Sequence, residues 1–353
     1  MESASIPTPP SRPRREVVGE IVSRFGLAAI LLALPVLYGI QDLQEEGDLG
    51  RLATNIKDGL SNGAIWALIA VGYTLVYGII ELINFAHGDL FMIGSFVAYS
   101  LIATVGLTVG TGGLGLVLGL LLILAIAMVA CGSLNVMIER VAYRPLRNAP
   151  RLAPLITAIG FSFILQNVGL LWIGGGHRGV PDLIDTQDRL FTLLGVPVTN
   201  GDVLALVVTT PLVLLLVNFI NLSRMGRAMR ATAQDPQAAR LMGINVDTTI
   251  SFTFLLGGLM AGAAGLIYAL YQTDIWFFSG FTAGLISFTA AVMGGIGNLK
   301  GAVLGGLIIG VIQQISDNRI GTEWTPAIVF GFLVLILVFR PQGLLGEQTR
   351  EAG

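Results

Sequence analysis

The chain has 353 residues, of which 54% are hydrophobic and only 12% charged, against about 25% charged in an average soluble domain. A formal net charge of −2 offers no footing for nucleic acid, the lone Cys131 rules out an intrachain disulfide, and two histidines, His87 and His177, are too few for an HExxH motif or a His-rich metal cluster. With a mean hydropathy of +0.79, most of the chain belongs in lipid, and the expected fold is an all-α, polytopic helical membrane protein.

Residues 1–24 are rich in Pro, Ser and Arg and read as a disordered tail. The first apolar run, 25–40, follows Arg12, Arg14, Arg15 and Arg24, as the core of a signal peptide would. No small-residue cleavage site follows it, so it reads as an uncleaved span. Further apolar runs fall at 59–80, 84–104, 110–138, 152–173, 201–222, 249–271, 280–298, 301–318 and 324–340. A bilayer core needs roughly 20 apolar residues per helix. The pattern predicts ten crossings in one membrane domain over 25–345, with a short tail at 346–353. The segments 84–104 and 280–298 are the weakest. If both are re-entrant or broken helices, which are tolerated where protein or water covers the backbone, eight crossings remain. The GxxxG spacing that lets membrane helices approach closely recurs at Gly115–Gly119, Gly258–Gly262, Gly301–Gly305 and Gly306–Gly310.

Basic residues orient the spans. The N-terminal arginines, the loop 139–151 with Arg140, Arg144, Arg147 and Arg151, the loop 223–248 with Arg224, Arg227, Arg230 and Arg240, and Arg340 all fall on one side of ten spans. That side is expected to be the cytoplasm, which places both termini there. The opposite side receives the acidic stretch 42–48 and the loop 174–200 with Asp182, Asp185 and Asp188. Arg51, Lys57, Arg178, Arg189 and Arg319 run against the rule without reversing it.

The stretch 60–94 carries a polar knot, Glu81, Asn84, His87 and Asp89, between two apolar runs. Polar groups between spans are costly in lipid and face protein or a wet cavity, so this knot points to movement of a solute. Asn84 and His87 can supply donors without a fixed charge, and Gln166 and Asn167, mid-span in 152–173, can line the same route. A full charge at the bilayer centre costs roughly 2.5–3.5 kcal/mol on insertion scales, which favours amides there. Structural roles compete with this reading: a helix cap for Asn84, a packing hydrogen bond for His87, interhelical bonding for Gln166 and Asn167, and a first-turn helix charge for Asp89. The GxGxxG match at 110–115 follows no strand, and Leu299 stands where a Walker-type loop ending at Lys300 needs glycine. No catalytic residues, cofactor or metal ligands are expected.

In the loop 223–248, Asp235-Pro236 reads as an N-cap followed by Pro at the first helical position, with Gly243 as the C-terminal cap of a short helix. Gln237-Ala238-Ala239, followed four residues later by Gly243, resembles the EAA loop of ATP-binding-cassette importer permeases, with Gln in place of Glu and without the Ile-x-Leu-Pro tail. The stretches 72–78 and 83–89, Arg144-Pro145-Leu146-Arg147, Gly243-Ile244-Asn245 and 288–297 resemble the permeases of high-affinity branched-chain amino acid importers, closest to the LivH type, from about Gly59 to Gly346. The resemblance implies a coupling role for Asp235, Gln237, Ala238, Ala239 and Gly243. It also implies two ATPase subunits that hydrolyse ATP in place of this chain, a second, LivM-like permease completing the pore, an extracytoplasmic binding protein and a bacterial inner-membrane location. Related permeases for urea or short amides share much of the pattern. A gradient-driven carrier is the rival mechanism; Glu81, Asp89 and Glu139 lie near span ends, which counts against it.

Overall fold

The computed structural model describes residues 14–45, 47–147, 149–150, 152–193 and 195–346. All ten apolar runs fall on helices: α1 (Arg14–Glu45), α2 (Gly50–Ile80), α3 (His87–Val105), α4 (Gly113–Ile138), α5 (Leu152–Ile173), α6 (Asn200–Leu222), α9 (Val246–Gln272), α10 (Ser279–Gly294), α11 (Leu299–Arg319) and α12 (Thr325–Phe339). A π-turn, Glu139–Tyr143, prolongs α4, and two short helices, α7 (Arg224–Gln234) and α8 (Pro236–Leu241), fill the basic loop. The strands are short and lie outside the bundle. β2 (Arg189–Leu193) and β3 (Val196–Thr199) form an antiparallel hairpin, and β1 (Arg178–Gly179) pairs with β4 (Asp274–Ile275).

The chain is an all-α membrane protein. Among the described residues, seven helices are long and apolar enough to cross a membrane: α2, α3, α4 with its π-turn, α5, α6, α9 and α11. At 16 and 15 residues, α10 and α12 rise about 24 and 22 Å, against roughly 30 Å of hydrocarbon. Length alone therefore does not deliver the expected ten crossings. The stretch 1–24, expected as a tail, overlaps the first helix. Helix α1 begins at Arg14, so 14–24 is helical, while residues 1–13 and 347–353 lie outside the described set.

Two helices form the centre. The most apolar windows of α2 and α9 are 83% and 72% buried, against 22–33% for α4, α5 and α6, whose outer faces are apolar and exposed. Close backbone approach makes this centre dense. A Cβ on Gly63 would meet the Gly306 carbonyl at 2.8 Å, and one on Gly306 would meet the Ala67 Cα at 2.6 Å, so α2 and α11 touch backbone to backbone. The Gly258–Gly262 pair brings α9 against α4 in the same way, and Gly301–Gly305 brings α11 against α10; Gly115 meets nothing.

The polar knot becomes a break in the helical path. Helix α2 ends at Glu81 in the left-handed conformation (φ 52°), with its N–H on the Tyr77 carbonyl. The chain 81–86 then turns back inward. A Cβ on Gly72 would strike the His87 ring, so α3 starts about two turns inside the end of α2. The segment 84–104, one of the two weak spans, is thus a continuous helix from His87 that starts inside the bundle, with the irregular backbone just ahead of it.

Replacing Gly306 with Leu is expected to destabilise the α2–α11 contact by about 1–3 kcal/mol or more through overpacking. Thermal unfolding of detergent-purified protein should show the loss. Gly331→Leu, at a position with open space around it, should leave the transition unchanged.

Candidate functional site

The break is held by amides. Asn84 Nδ2 donates to Asn135 Oδ1 at 3.2 Å, the Tyr143 hydroxyl donates to Asn84 Oδ1 at 3.1 Å, and Asn135 Nδ2 donates to the Phe254 carbonyl at 2.7 Å. Asn84 therefore ties the break to α4, its π-turn and α9. His87 is fully buried, edge-on to Tyr73 with ring centroids 4.7 Å apart. Neither of its ring nitrogens has a hydrogen-bond partner of good geometry.

Asp89 is a first-turn helix charge, as expected, but its burial was not legible in the sequence. Read as a helix charge near a span end, it sits fully buried in the first turn of α3 because α3 starts inside the protein. The Ser162 hydroxyl on α5 donates to Asp89 Oδ2, and Gln166 Nε2 donates to the Ser162 oxygen at 3.0 Å. Asp89 Oδ1 has no partner. The positive end of the α3 dipole supports the carboxylate. Gln166 and Asn167 part company: one residue is about 100° of helical rotation. Gln166 points inward, while Asn167 is exposed and donates to the Phe163 carbonyl of its own helix at 2.8 Å.

A cavity of about 60 Å³ lies between α2, α5 and α10. Tyr73, Ser162 and Gln166 supply its polar groups, and Phe163, Phe281 and Phe288 line its apolar walls. Phe163 and Phe281 are exposed, so the cavity lies at the outer face of this chain. Asn84, His87 and Asn167 do not line it. Of the four residues expected on a solute route, Gln166 alone reaches it.

The basic loop folds as expected. Asp235 Oδ1 accepts from the Gln237 and Ala238 backbone N–H groups at 2.8 and 3.0 Å, and Pro236 opens α8. Ala239 is buried, and its carbonyl accepts from Ile244 N at 3.0 Å. Gly243 takes φ +82° to close the helix. Gln237 and Ala238 are exposed. Sequence reasoning missed the apolar tip: Leu241 and Met242 are 89% and 82% exposed. Asn245 then caps α9 through Thr248 N at 3.0 Å. Arg144 pairs with Asp247 at 2.8 Å, Arg147 bridges Asp247 and Glu139, and Ser251 donates to Glu139 at 2.7 Å. These contacts brace the start of α9 against the 139–151 loop.

A polytopic all-α membrane protein whose helical path breaks at buried polar groups, with a cavity on its outer face and a capped loop helix carrying an apolar tip, is organised as a transport permease. The family model for the permease component of branched-chain amino acid transport systems matches residues 55–338, and the chain belongs to that family. It is 41% identical over 302 residues to the high-affinity branched-chain amino acid transport system permease protein BraD of Pseudomonas aeruginosa, covering 84% of this chain and 96% of that one. It is 42% identical over 299 residues to the LivH permease protein of the corresponding Escherichia coli K12 system, covering 83% and 95%. No solved structure matches the chain.

Asn135→Leu should leave the Asn84 Nδ2 donor without its partner and remove the tie to the Phe254 carbonyl, at about 1–3 kcal/mol for the unsatisfied buried group. A lowered unfolding temperature in detergent checks this, with Asn167→Ala expected to match the parent.

Proposed function

We propose that this chain is the membrane-spanning permease subunit of an ATP-driven importer for branched-chain amino acids and supplies one half of the translocation pore. The observation that carries the mechanism is the α8 corner. A capped six-residue helix presents an apolar tip, Leu241 and Met242, one turn before α9 begins. An exposed apolar tip on a rigid mount suits a groove on a soluble partner, and an ATPase pair is the partner that importer coupling requires. In this reading Asp235, Gln237, Ala238, Ala239 and Gly243 shape the coupling helix, and ATP-driven closure of the partners displaces α8 and tilts α9. The α8 side is cytoplasmic. Helix α1 together with α10 and α12, the last two with help from bilayer thinning, brings the seven to ten crossings.

The pathway runs along the cavity between α5 and α10. Its aromatic walls suit a branched aliphatic side chain. The Gln166 amide and Tyr73 hydroxyl can bond a zwitterion without adding a fixed charge. Asn84 and His87 act behind the wall, holding the break that brings α3 to that depth. Since affinity resides in an extracytoplasmic binding protein, the permease needs only a weak route. A second permease of LivM type would cover the exposed faces of Phe163 and Phe281. The cavity's apolar lining favours branched-chain amino acids over urea or short amides.

One observation favours the gradient-driven alternative. Asp89 and Glu139, expected only near span ends, are both fully buried. Glu139 is neutralised by Arg147, which leaves Asp89, of these two, as the candidate ion carrier. The importer reading rests on family membership and on α8.

Gly243→Val and Ala239→Arg should leave the protein in the membrane yet reduce ATP-dependent leucine uptake about tenfold or more, a loss of ~1.4 kcal/mol in coupling. Valine cannot adopt the left-handed turn without strain, and arginine cannot occupy the buried face. Uptake by proteoliposomes carrying the chain with its ATPases and second permease is the measurement. Leucine accumulation on an ion gradient alone, without any ATPase, would reverse the proposal.

A further inference from the structure

A second cavity, of about 210 Å³, lies at the end of α9 farthest from α8. Its volume is below the roughly 300–1,000 Å³ of drug-sized sites and is on the scale of one small amino acid. Helix α10 separates it from the smaller cavity. Ser279, Thr282, Ala283 and Ile286 face the larger space, while Phe281, Gly284, Leu285 and Phe288 face the smaller one.

The lining of this outer chamber is divided by chemistry. Trp66 and Tyr268 form an aromatic corner with ring centroids 6.1 Å apart, and Trp66 is held in place by its indole N–H on Gln313 Oε1 at 2.7 Å. Ile286 extends the apolar wall. At one rim stands Asp274. Its Oδ2 meets His177 Nδ1 at 2.6 Å, and the His177 ring stacks on Trp276 at 5.1 Å. Trp276 in turn donates to the Gly175 carbonyl at 3.0 Å. The β1–β4 pairing, with Gly179 opposite Asp274, fixes the carboxylate's backbone. At the other rim, the first turn of α10 presents the Thr282 hydroxyl and the Ser279 hydroxyl, whose oxygen is buried without a partner. One chamber thus offers an anion, hydroxyl donors and an aromatic–aliphatic wall, which are the three parts that a free hydrophobic amino acid requires.

We propose that this outer chamber is a receiving site for the free amino acid, in which Asp274 takes the ammonium, Ser279 and Thr282 donate to the carboxylate, and Trp66, Tyr268 and Ile286 hold the branched side chain. This rests on the reading of the chain as an amino acid permease. The aromatic faces add cation–π attraction for the ammonium beside Asp274. Cargo leaving the chamber passes around α10 to the cavity that contains Gln166. The site selects for a zwitterion, so urea and neutral amides lacking a charged pair bind it poorly.

Photo-leucine, whose diazirine inserts into nearby bonds on illumination, tests the site in the complete transporter in membrane vesicles. Labelled peptides should map to the segment 266–286 or to Trp66, and excess leucine but not urea should suppress the label. Asp274→Asn should lower the label about tenfold, Asp274→Glu should restore much of it, and Thr282→Trp, which fills the chamber from an exposed position, should abolish it. Labelling that is indifferent to Asp274→Asn and Thr282→Trp, or that maps only elsewhere, overturns the receiving site if the wild-type vesicles still take up leucine with ATP. Wild-type vesicles that take up no leucine overturn the permease reading itself, and the receiving site with it.

Discussion

The fold depends on keeping one stretch of irregular backbone away from lipid. Residues 81–86 lie between two apolar helices, and peptide groups there would have no partners in a hydrocarbon environment. The protein ties them down instead, with Asn84 and Ala86 buried and Leu82, Ile83 and Phe85 half-buried. The left-handed Glu81 returns its N–H to α2, the His87 N–H bonds the Asn84 carbonyl, and the Asn84 side chain is held by Asn135 and Tyr143. With the break enclosed, α3 can begin deep inside the bundle. Its first turn then carries Asp89 to α5, where a chain of hydrogen bonds through Ser162 ends at Gln166.

Glycine makes that enclosure fit. Side chains at Gly63, Gly306, Gly258 or Gly262 would hold the helices apart and open the space around the break. With them absent, α2, α9 and α11 form a dense centre that leaves its polar contacts inside. The two cavities fall on opposite faces of α10, a helix of 16 residues beside that centre. The dense part resists deformation, and α10 has open space on both of these faces.

Much of this was legible in the chain. The ten apolar runs are helices because apolar sequence of that length has no other way to satisfy its backbone in a membrane. Asp235-Pro236 and Gly243 predicted α8 because capping chemistry is local and acts over a few residues. What was not legible depends on depth and facing. Asp89 looked like an end charge because a break and a terminus read alike in one dimension; only the inward turn of 81–86 separates them. Gln166 and Asn167 are adjacent letters with opposite surroundings, since both faces of α5 are apolar and the period gives no direction. Helix α1 starts at Arg14, ahead of the apolar boundary, because helix formation needs no apolar residues in its first turns. Leu241 and Met242 passed unnoticed since a hydrophobic residue in a short loop helix normally points inward.

The bracing at Asp247 has a mechanical consequence. Asn245 caps α9 directly after the α8 corner, and two arginines grip Asp247 within the first turn, so the joint has little slack. Helix α9 is 27 residues long, a rod of about 40 Å. Pivoting such a rod by about 5° at its braced end swings the opposite end through roughly 3.5 Å. That distant end is where Thr273 and Asp274 sit, so a small displacement at the loop would arrive there magnified by leverage.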